Sequence, residues 1–438
     1  MKFVTGTSTK TVTWQDLTGD GRNNPAAVHG AVHLLRDMGG VVFLTLRMAR
    51  GMLQCVCPPR IVPRGLREEW CVEVSGTVRA EARALGGLEI AAESITVLSR
   101  PAAPMPVSLG RRRLGLNLDT ELGLRPAVLR HARERAVFKI QEGLVRAFRD
   151  YLTGEGFTEV HTPKIVRAGA EGGSNIFRLD YFGKKAYLAQ SPQFYKQTMV
   201  GAFERVFEVG PVFRAEKHAT PRHLNEYTGL DLEMGYIRSF YDVMEAEAGY
   251  LRRAMELLAR EYGEELALLG AQLPRADQIP CLRFDEAKRL AAERYGCPIR
   301  DPYDLEPEEE ARIGRYAREE YGSDFVFVTH YPSRKRPFYA MDDPDDPRYT
   351  LSFDLLLRGM EVTTGGQRIH DYAAQAAKME ARGMDPADFD SYLMIHRCGM
   401  PPHGGLGIGL ERLTMQLCGL DNIRYCSLFP RDRGRLEP

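Results

Sequence analysis

The chain has 438 residues, enough to bury more than one hydrophobic core. Lys plus Arg equal Asp plus Glu at 59 each, so the formal net charge is zero and any nucleic-acid partner must be met by local patches, not by overall charge. No apolar run reaches membrane-spanning length, and the start MKFVTGTSTK lacks the apolar stretch of a secretory leader, which argues against the membrane and secreted classes and predicts a soluble cytoplasmic protein.

Residues 1–24 end in the turn-rich GDGRNNP and read as an N-terminal extension, partly disordered. From 25 to 100 come five short β-rich runs, AVHGAVHLL, GVVFLTLRM, MLQCVCP, WCVEVSGTVRA and LEIAAESITVL, separated by Gly and Pro turns. Such runs predict a small barrel, although the pattern also allows another small β domain. The Pro-rich RPAAPMPVSLG opens a linker over 101–125. Val128, Val137, Ile140, Leu144, Phe148 and Tyr151 then fall at helical spacing and predict one long helix from Pro126 to Leu152. The rest of a second domain, 126–438, mixes β runs such as ERVFEVGPVFRAE, NEYTGLDLEMGYI, DFVFVTHYP and TLSFDLLLRGMEVT with helices near 242–268 and 286–295. That mixture is α+β. The eight cysteines have no paired metal-ligand spacing, so buried or free thiols are expected. Candidate basic patches are Arg111 to Arg113, the group Arg125, Arg130, Arg133 and Arg135, and Arg431, Arg433 and Arg435 near the end.

Three strings in order carry the chemistry: GFTEVHTPKI at 156–165 with Pro163, VFRAEKHATPRHLNE at 212–226, and GLGIGLERL at 405–413. They resemble motifs 1, 2 and 3 of class II aminoacyl-tRNA synthetases. EGGSNIF at 171–177, SPQFYKQ at 191–197, GGQRIH at 365–370 and LFPRDR at 428–433 narrow the resemblance to aspartyl-tRNA synthetases of the short, archaeal type. It implies an N-terminal OB-fold barrel that reads the anticodon and a catalytic antiparallel sheet flanked by helices.

Aspartate activation joins a carboxylate to the α-phosphate of ATP. The carboxylate is already ionised near neutral pH, so the site must supply alignment and charge neutralisation rather than a base. Arg214 matches the motif 2 arginine, whose planar fork spans the α-phosphate and the reacting carboxylate. The resemblance puts Glu216 near the adenine amino group, and Arg222, His223 and Leu224 on the loop that holds ATP. Arg412 matches the motif 3 arginine packing on ATP, with Gly407 and Gly409 admitting close backbone approach. Glu361 and Thr364 match the magnesium positions, with Thr where the family usually has Ser and the hydroxyl kept. Asp354 either supports that metal or pairs with an arginine, and Arg358 is similarly open. The aspartate pocket is implied to comprise Gln193, Lys196, Arg368 and Thr364, with Asp231 near the substrate ammonium and Glu171 on a Gly-rich loop that closes over it.

The resemblance further implies a homodimer built around Pro163. The expected partners are L-aspartate, ATP, tRNA(Asp) and no membrane. His33 and Leu85 stand where discriminating archaeal enzymes tend to carry Trp and Lys. Loss of that ring and cation predicts relaxed anticodon contacts, charging of tRNA(Asn) as well, and a tRNA-dependent amidotransferase as a further partner. The alternatives are a strictly discriminating enzyme, an asparaginyl or asparagine synthetase relative, and a non-catalytic RNA-binding paralogue. Lys196 and the barrel argue against the synthetase relatives, and the joint presence of Arg214, Glu361 and Arg412 argues against the paralogue.

Overall fold

Buried and half-exposed residues alternate along β2 (Val42–Arg47) and β3 (Met52–Cys57), so one face of each strand must be covered. The chain covers it by closing on itself. With β1 (Pro25–Asp37), β4 (Cys71–Ala80) and β5 (Leu88–Ser99) these strands form a closed barrel in the order β1-β2-β3-β5-β4, which leaves no open edge. Val28, Val32, Leu44, Leu46, Leu53, Val72, Val74 and Ile90 fill its interior. The computed structural model describes residues 12, 16–17, 24–49, 51–167, 175–217 and 220–437, apart from the side chain of Leu85.

The chain separates into two compact units, 1–131 and 132–438. In the first, the Pro-rich stretch after the barrel is not bare linker. Val107 and Leu109 are buried with Val128 in a small core of their own. The helix expected from Pro126 to Leu152 is broken: a short piece, Arg125–Val128, is followed by α1 (Ala132–Gly154). Apolar spacing runs through the break, which is why periodicity alone did not reveal it.

The second unit holds a small sheet of β7 (Ile165–Val166), β8 (Arg178–Tyr181) and β9 (Lys184–Leu188) and is built on an eight-stranded sheet ordered β12-β13-β14-β15-β16-β11-β10-β6. Its six inner strands are antiparallel: β10 (Arg205–Phe213), β11 (Glu226–Gly235), β13 (Phe325–Thr329), β14 (Ser352–Leu357), β15 (Met360–Gln367) and β16 (His403–Gly409). The edge strands β6 (Thr158–Glu159) and β12 (Cys281–Arg283) join in parallel. A barrel ahead of a helix-flanked, mainly antiparallel sheet is the α+β architecture expected. Helix α1 and α3 (Tyr241–Glu261) bury Ile140, Leu144, Phe148, Tyr250, Leu251 and Leu258 in one core with Phe207, Leu230, Leu232, Phe353 and Leu406 of the sheet. The sheet's other face is left for chemistry. Near it lie α2 (Gln193–Phe203) and α4 (Pro307–Tyr321), whereas α5 (Leu410–Cys418) buries Leu410, Leu413 and Leu417 in the core shared with α1; none of the three is among the helices expected from sequence. Among the described residues no helix is long and apolar enough to cross a membrane.

Candidate active site

Strand register builds the site. Asp354 on β14 pairs with Thr364 on β15, Thr364 with Gly407 on β16, and Gly407 with Asp231 on β11, so one row crosses four strands on one face. One step along, Gly405 pairs with Glu233, on the same face as Asp231 because successive side chains alternate. Gly405 has no room for a side chain: a Cβ there would lie 2.0 Å from Glu233 Oε2.

At this end of the cavity four buried charges meet. Lys196, from α2, donates to Asp231 Oδ1 at 2.9 Å and to the Leu406 carbonyl at 2.8 Å, and stands 3.5 Å from Glu233 Oε2. Arg368 Nε donates to Glu233 Oε1 at 2.8 Å, its Nη2 donates to the Gly405 carbonyl at 2.8 Å, and its guanidinium lies 5.3 Å from the Tyr339 ring centroid. Burial pushes Glu233 up, but the Arg368 and Lys196 charges outweigh it and hold the carboxyl below its ordinary value. Gln193 is buried beside them, its amide nitrogen without a hydrogen-bond partner among the described residues.

The other end is lined by Arg214, Glu216, Arg222, His223, Leu224, Glu361, Gly409 and Arg412. Arg214 follows β10, its backbone N–H donating to the Asn225 carbonyl at 2.9 Å and its guanidinium 6.0 Å from the Tyr227 ring centroid. Arg412, in the first turn of α5, donates from Nε to the Arg222 carbonyl at 3.3 Å and from Nη1 to Glu361 Oε1 at 3.3 Å. His223 is held below its ordinary pKa by burial and then by the Arg412 charge, and its Nδ1 lies 2.6 Å from Thr220 Oγ1. Glu216 Oε2 accepts from Asn175 at 3.3 Å.

Glu361 and Thr364 would normally point to opposite faces of β15. A bulge between Leu355 and Leu356 of the pairing strand's register, with Val362 as the extra residue, re-aims Glu361, and Thr364 Oγ1 lies 3.4 Å from its Oε1. Asp354 Oδ2 is 2.8 Å from Arg336 Nη2, whose guanidinium lies 3.9 Å from the Tyr331 ring centroid. Glu361, Thr364 and Asp354 offer only oxygen, the donor set of a hard divalent cation. Among the described residues there is no group of three or more His, Cys, Asp or Glu suited to hold a metal alone, so substrate oxygens would have to complete the shell.

Sequence reasoning missed Glu233, Arg336 and Glu411. Glu233 had a signal: in LDLEM it stands two residues after Asp231 and so shares its face of the strand. Glu411, pushed up to about 7 by burial, accepts the Thr228 backbone N–H at 3.0 Å. Arg358 is structural, donating to the Gln416 and Gln272 carbonyls at 2.7 Å each. Glu171 lies outside the described residues, as does the side chain of Leu85. His33 sits where the β1–β2 register shifts, its Nδ1 buried and without a hydrogen-bond partner among the described residues. Arg125, Arg130 and Arg133 are not a free basic patch: Arg125 is buried, 3.4 Å from Glu121, Arg130 donates to Glu69 at 2.8 Å, and Arg133 donates to the Leu268 carbonyl at 2.8 Å.

Both parts of the chain are similar to known proteins. The family described as tRNA synthetases class II (D, K and N) matches residues 117–433, and the OB-fold nucleic acid binding domain matches residues 26–98. The aspartate–tRNA(Asp/Asn) ligase of Thermus thermophilus is 49% identical over 410 residues, 93% of this chain and 96% of that one. That of Deinococcus radiodurans is 48% identical over 417 residues, 94% of this chain and 95% of that one. The crystal structure of asparaginyl-tRNA synthetase from Pyrococcus horikoshii complexed with asparaginyl-adenylate superposes with a TM-score of 0.88 at 31% identity, covering 98% of this chain and 100% of that one.

Proposed function

The chain belongs to the class II tRNA synthetases of the D, K and N group, and from that premise we propose that it is an aspartate–tRNA ligase. It activates L-aspartate with ATP to aspartyl-adenylate, releases pyrophosphate, and passes the aspartate to the 3′ end of tRNA(Asp) and of tRNA(Asn). The observation that carries the reading is the pair of buried cations, Lys196 and Arg368, beside Arg214 and Arg412 in one cavity. Although Asp231 and Glu233 already balance them, both cations remain donors that a side-chain carboxylate can accept from, whereas the asparagine amide would turn an N–H toward one of them, donor against donor.

In this reading Lys196, Arg368 and Gln193 bind the side-chain carboxylate, Asp231 faces the ammonium, and Glu171 belongs to the segment that closes over both. Arg214 spans the reacting carboxylate and the α-phosphate, while Arg222, His223 and Arg412 take the remaining phosphates and Glu216, Leu224 and Gly409 the nucleoside. Glu361 and Thr364 would hold Mg2+, with Asp354 behind them. When bound, the ion supplies charge neutralisation at the phosphates. Residues 25–100 read the anticodon, 101–125 connect, and 126–438 carry catalysis. The ligase works in the cytoplasm as a homodimer through the segment around Pro163, and its tRNA(Asn) product goes to an amidotransferase.

Relaxed tRNA choice is supported by the Asp/Asn specificity named for the two bacterial relatives and by His33, whose ring differs from the large indole of discriminating enzymes. Pyrophosphate exchange that depends on aspartate and is absent with asparagine tests the first step. Charging purified tRNA(Asp) and tRNA(Asn) transcripts tests the second: aspartylation of tRNA(Asp) alone would show a discriminating enzyme.

A further inference from the structure

One buried carboxylate, so far without a role, touches two groups of the nucleotide end. Glu310 lies in the first turn of α4, a helix started by Pro307 and by a capping box between Glu306 and Glu309. It is only 7% exposed. Its Oε2 accepts from Arg222 Nη2 and from the backbone N–H of Glu361, the latter at 3.3 Å. The Arg222 carbonyl in turn accepts from Arg412, and Arg412 Nη1 reaches the Glu361 carbonyl at 3.2 Å. The four residues close a ring of polar contacts.

The helix that delivers Glu310 is fixed backbone against backbone. A Cβ on Gly314 would lie 2.4 Å from the Gly359 nitrogen, and one on Gly359 would lie 2.7 Å from Ala311 Cα. Gly359 also has φ +78°, so the turn leading into Glu361 tolerates no side chain there. Glu310 is therefore held at a set height over the start of β15. Arg222, by contrast, sits on the irregular segment between β10 and β11, and a long arginine there loses much rotamer freedom when it is fixed.

We propose that Glu310 is a positioning residue for the nucleotide: it holds the Arg222 guanidinium and the Glu361 main chain in the arrangement that receives the polyphosphate. Preorganisation of this kind reduces the ordering cost of binding. The inference rests on reading the cavity as an ATP site, and it makes α4 part of the nucleotide apparatus.

The test uses the full chain and its Glu310→Gln and Glu310→Ala variants. Mg-ATP binding is read by calorimetry, and the KM values for ATP and aspartate by pyrophosphate exchange. Glu310→Gln keeps the size and one acceptor oxygen, so it should melt with the wild type while the ATP dissociation constant and KM rise about tenfold. Aspartate KM should stay within about twofold, since Lys196 and Arg368 bond to Asp231, Glu233 and the Leu406 and Gly405 carbonyls and to neither Glu310 nor its partners. Glu310→Ala should raise both ATP values further. In an Arg222→Ala background Glu310→Gln should add almost nothing, because the Gln oxygen still accepts the Glu361 N–H and what is lost passes through Arg222. Unchanged or tighter ATP binding in Glu310→Gln, equal losses for ATP and aspartate, or full additivity with Arg222→Ala would each overturn the proposal. Calorimetry needs no amino acid, so an absence of aspartate-dependent exchange in the wild type would sink the ligase reading while the ATP comparison still decides the role of Glu310.

Discussion

Replacing Lys196 by Met removes one of two cations from a group of four buried charges. Lys196 and Arg368 balance Asp231 and Glu233, and Lys196 and Arg368 are only 2% and 5% exposed. Met fills nearly the same volume, so packing around α2 changes little. The electrostatics do not survive: Asp231 loses the ammonium 2.9 Å from its Oδ1, and Glu233 loses the one at 3.5 Å. The pocket then carries a net negative charge where the substrate's carboxylate must enter. Truncating one partner of a buried, hydrogen-bonded charge pair at a binding site costs about 2–5 kcal/mol of binding. At 1.4 kcal/mol per tenfold, that is roughly thirtyfold to several thousandfold. Pyrophosphate exchange at saturating ATP should show the aspartate kcat/KM falling by such a factor, while ATP affinity by calorimetry stays within about twofold, because its contacts lie at the other end of the cavity. Aspartate use within tenfold of the wild type, or a matching loss of ATP binding, would refute the charge argument.

Arg214→Lys should slow adenylate formation about a hundredfold or more, since an ammonium cannot bridge two acceptors as a guanidinium does; near-normal exchange with a native circular dichroism spectrum would count against that role. Gly405→Ala should destabilise the second unit by about 1–3 kcal/mol, because the new Cβ meets Glu233 Oε2 at 2.0 Å, and an unchanged urea midpoint would contradict the packing. Glu247, on α3, accepts from Thr363 Oγ1 at 2.5 Å and is pushed by burial from 4.5 up to about 8. Its folded form stays neutral while the unfolded chain ionises, so this contribution is fully present below about pH 4.5, declines as pH rises, and is lost by about pH 8. Glu247→Gln cannot ionise and should gain on the wild type across that window by up to about 4–5 kcal/mol. Parallel stability–pH curves for the two proteins would rule this out.

Barrel strands were legible because alternation over short runs has a single cheap solution, a covered inner face, and the runs read from Ala26 to Leu98 are the strands that form. The site residues were legible as strings: Arg214, Arg222, His223, Lys196, Arg368, Glu361, Thr364 and Arg412 all line one cavity. Helix α4 had its start signal in Glu306, Pro307 and Glu309, but its buried face is only Glu309, Glu310, Ile313, Gly314 and Ala317, too polar to stand out by periodicity. TLSFDLLLRGMEVT reads as one apolar run, yet it turns at Arg358 and Gly359, with φ of +52° and +78°, into the hairpin of β14 and β15. Only the tertiary structure decided that a bulge at Val362 turns Glu361 toward Thr364, that Glu233 rather than solvent neutralises Arg368, and that Glu310 reaches Arg222 from a helix far along the chain. Residue types and local spacing determine which chemistry the chain can offer. Partners across strands and helices depend on register and packing, and a single sequence carries no direct signal for a contact between residues distant along it.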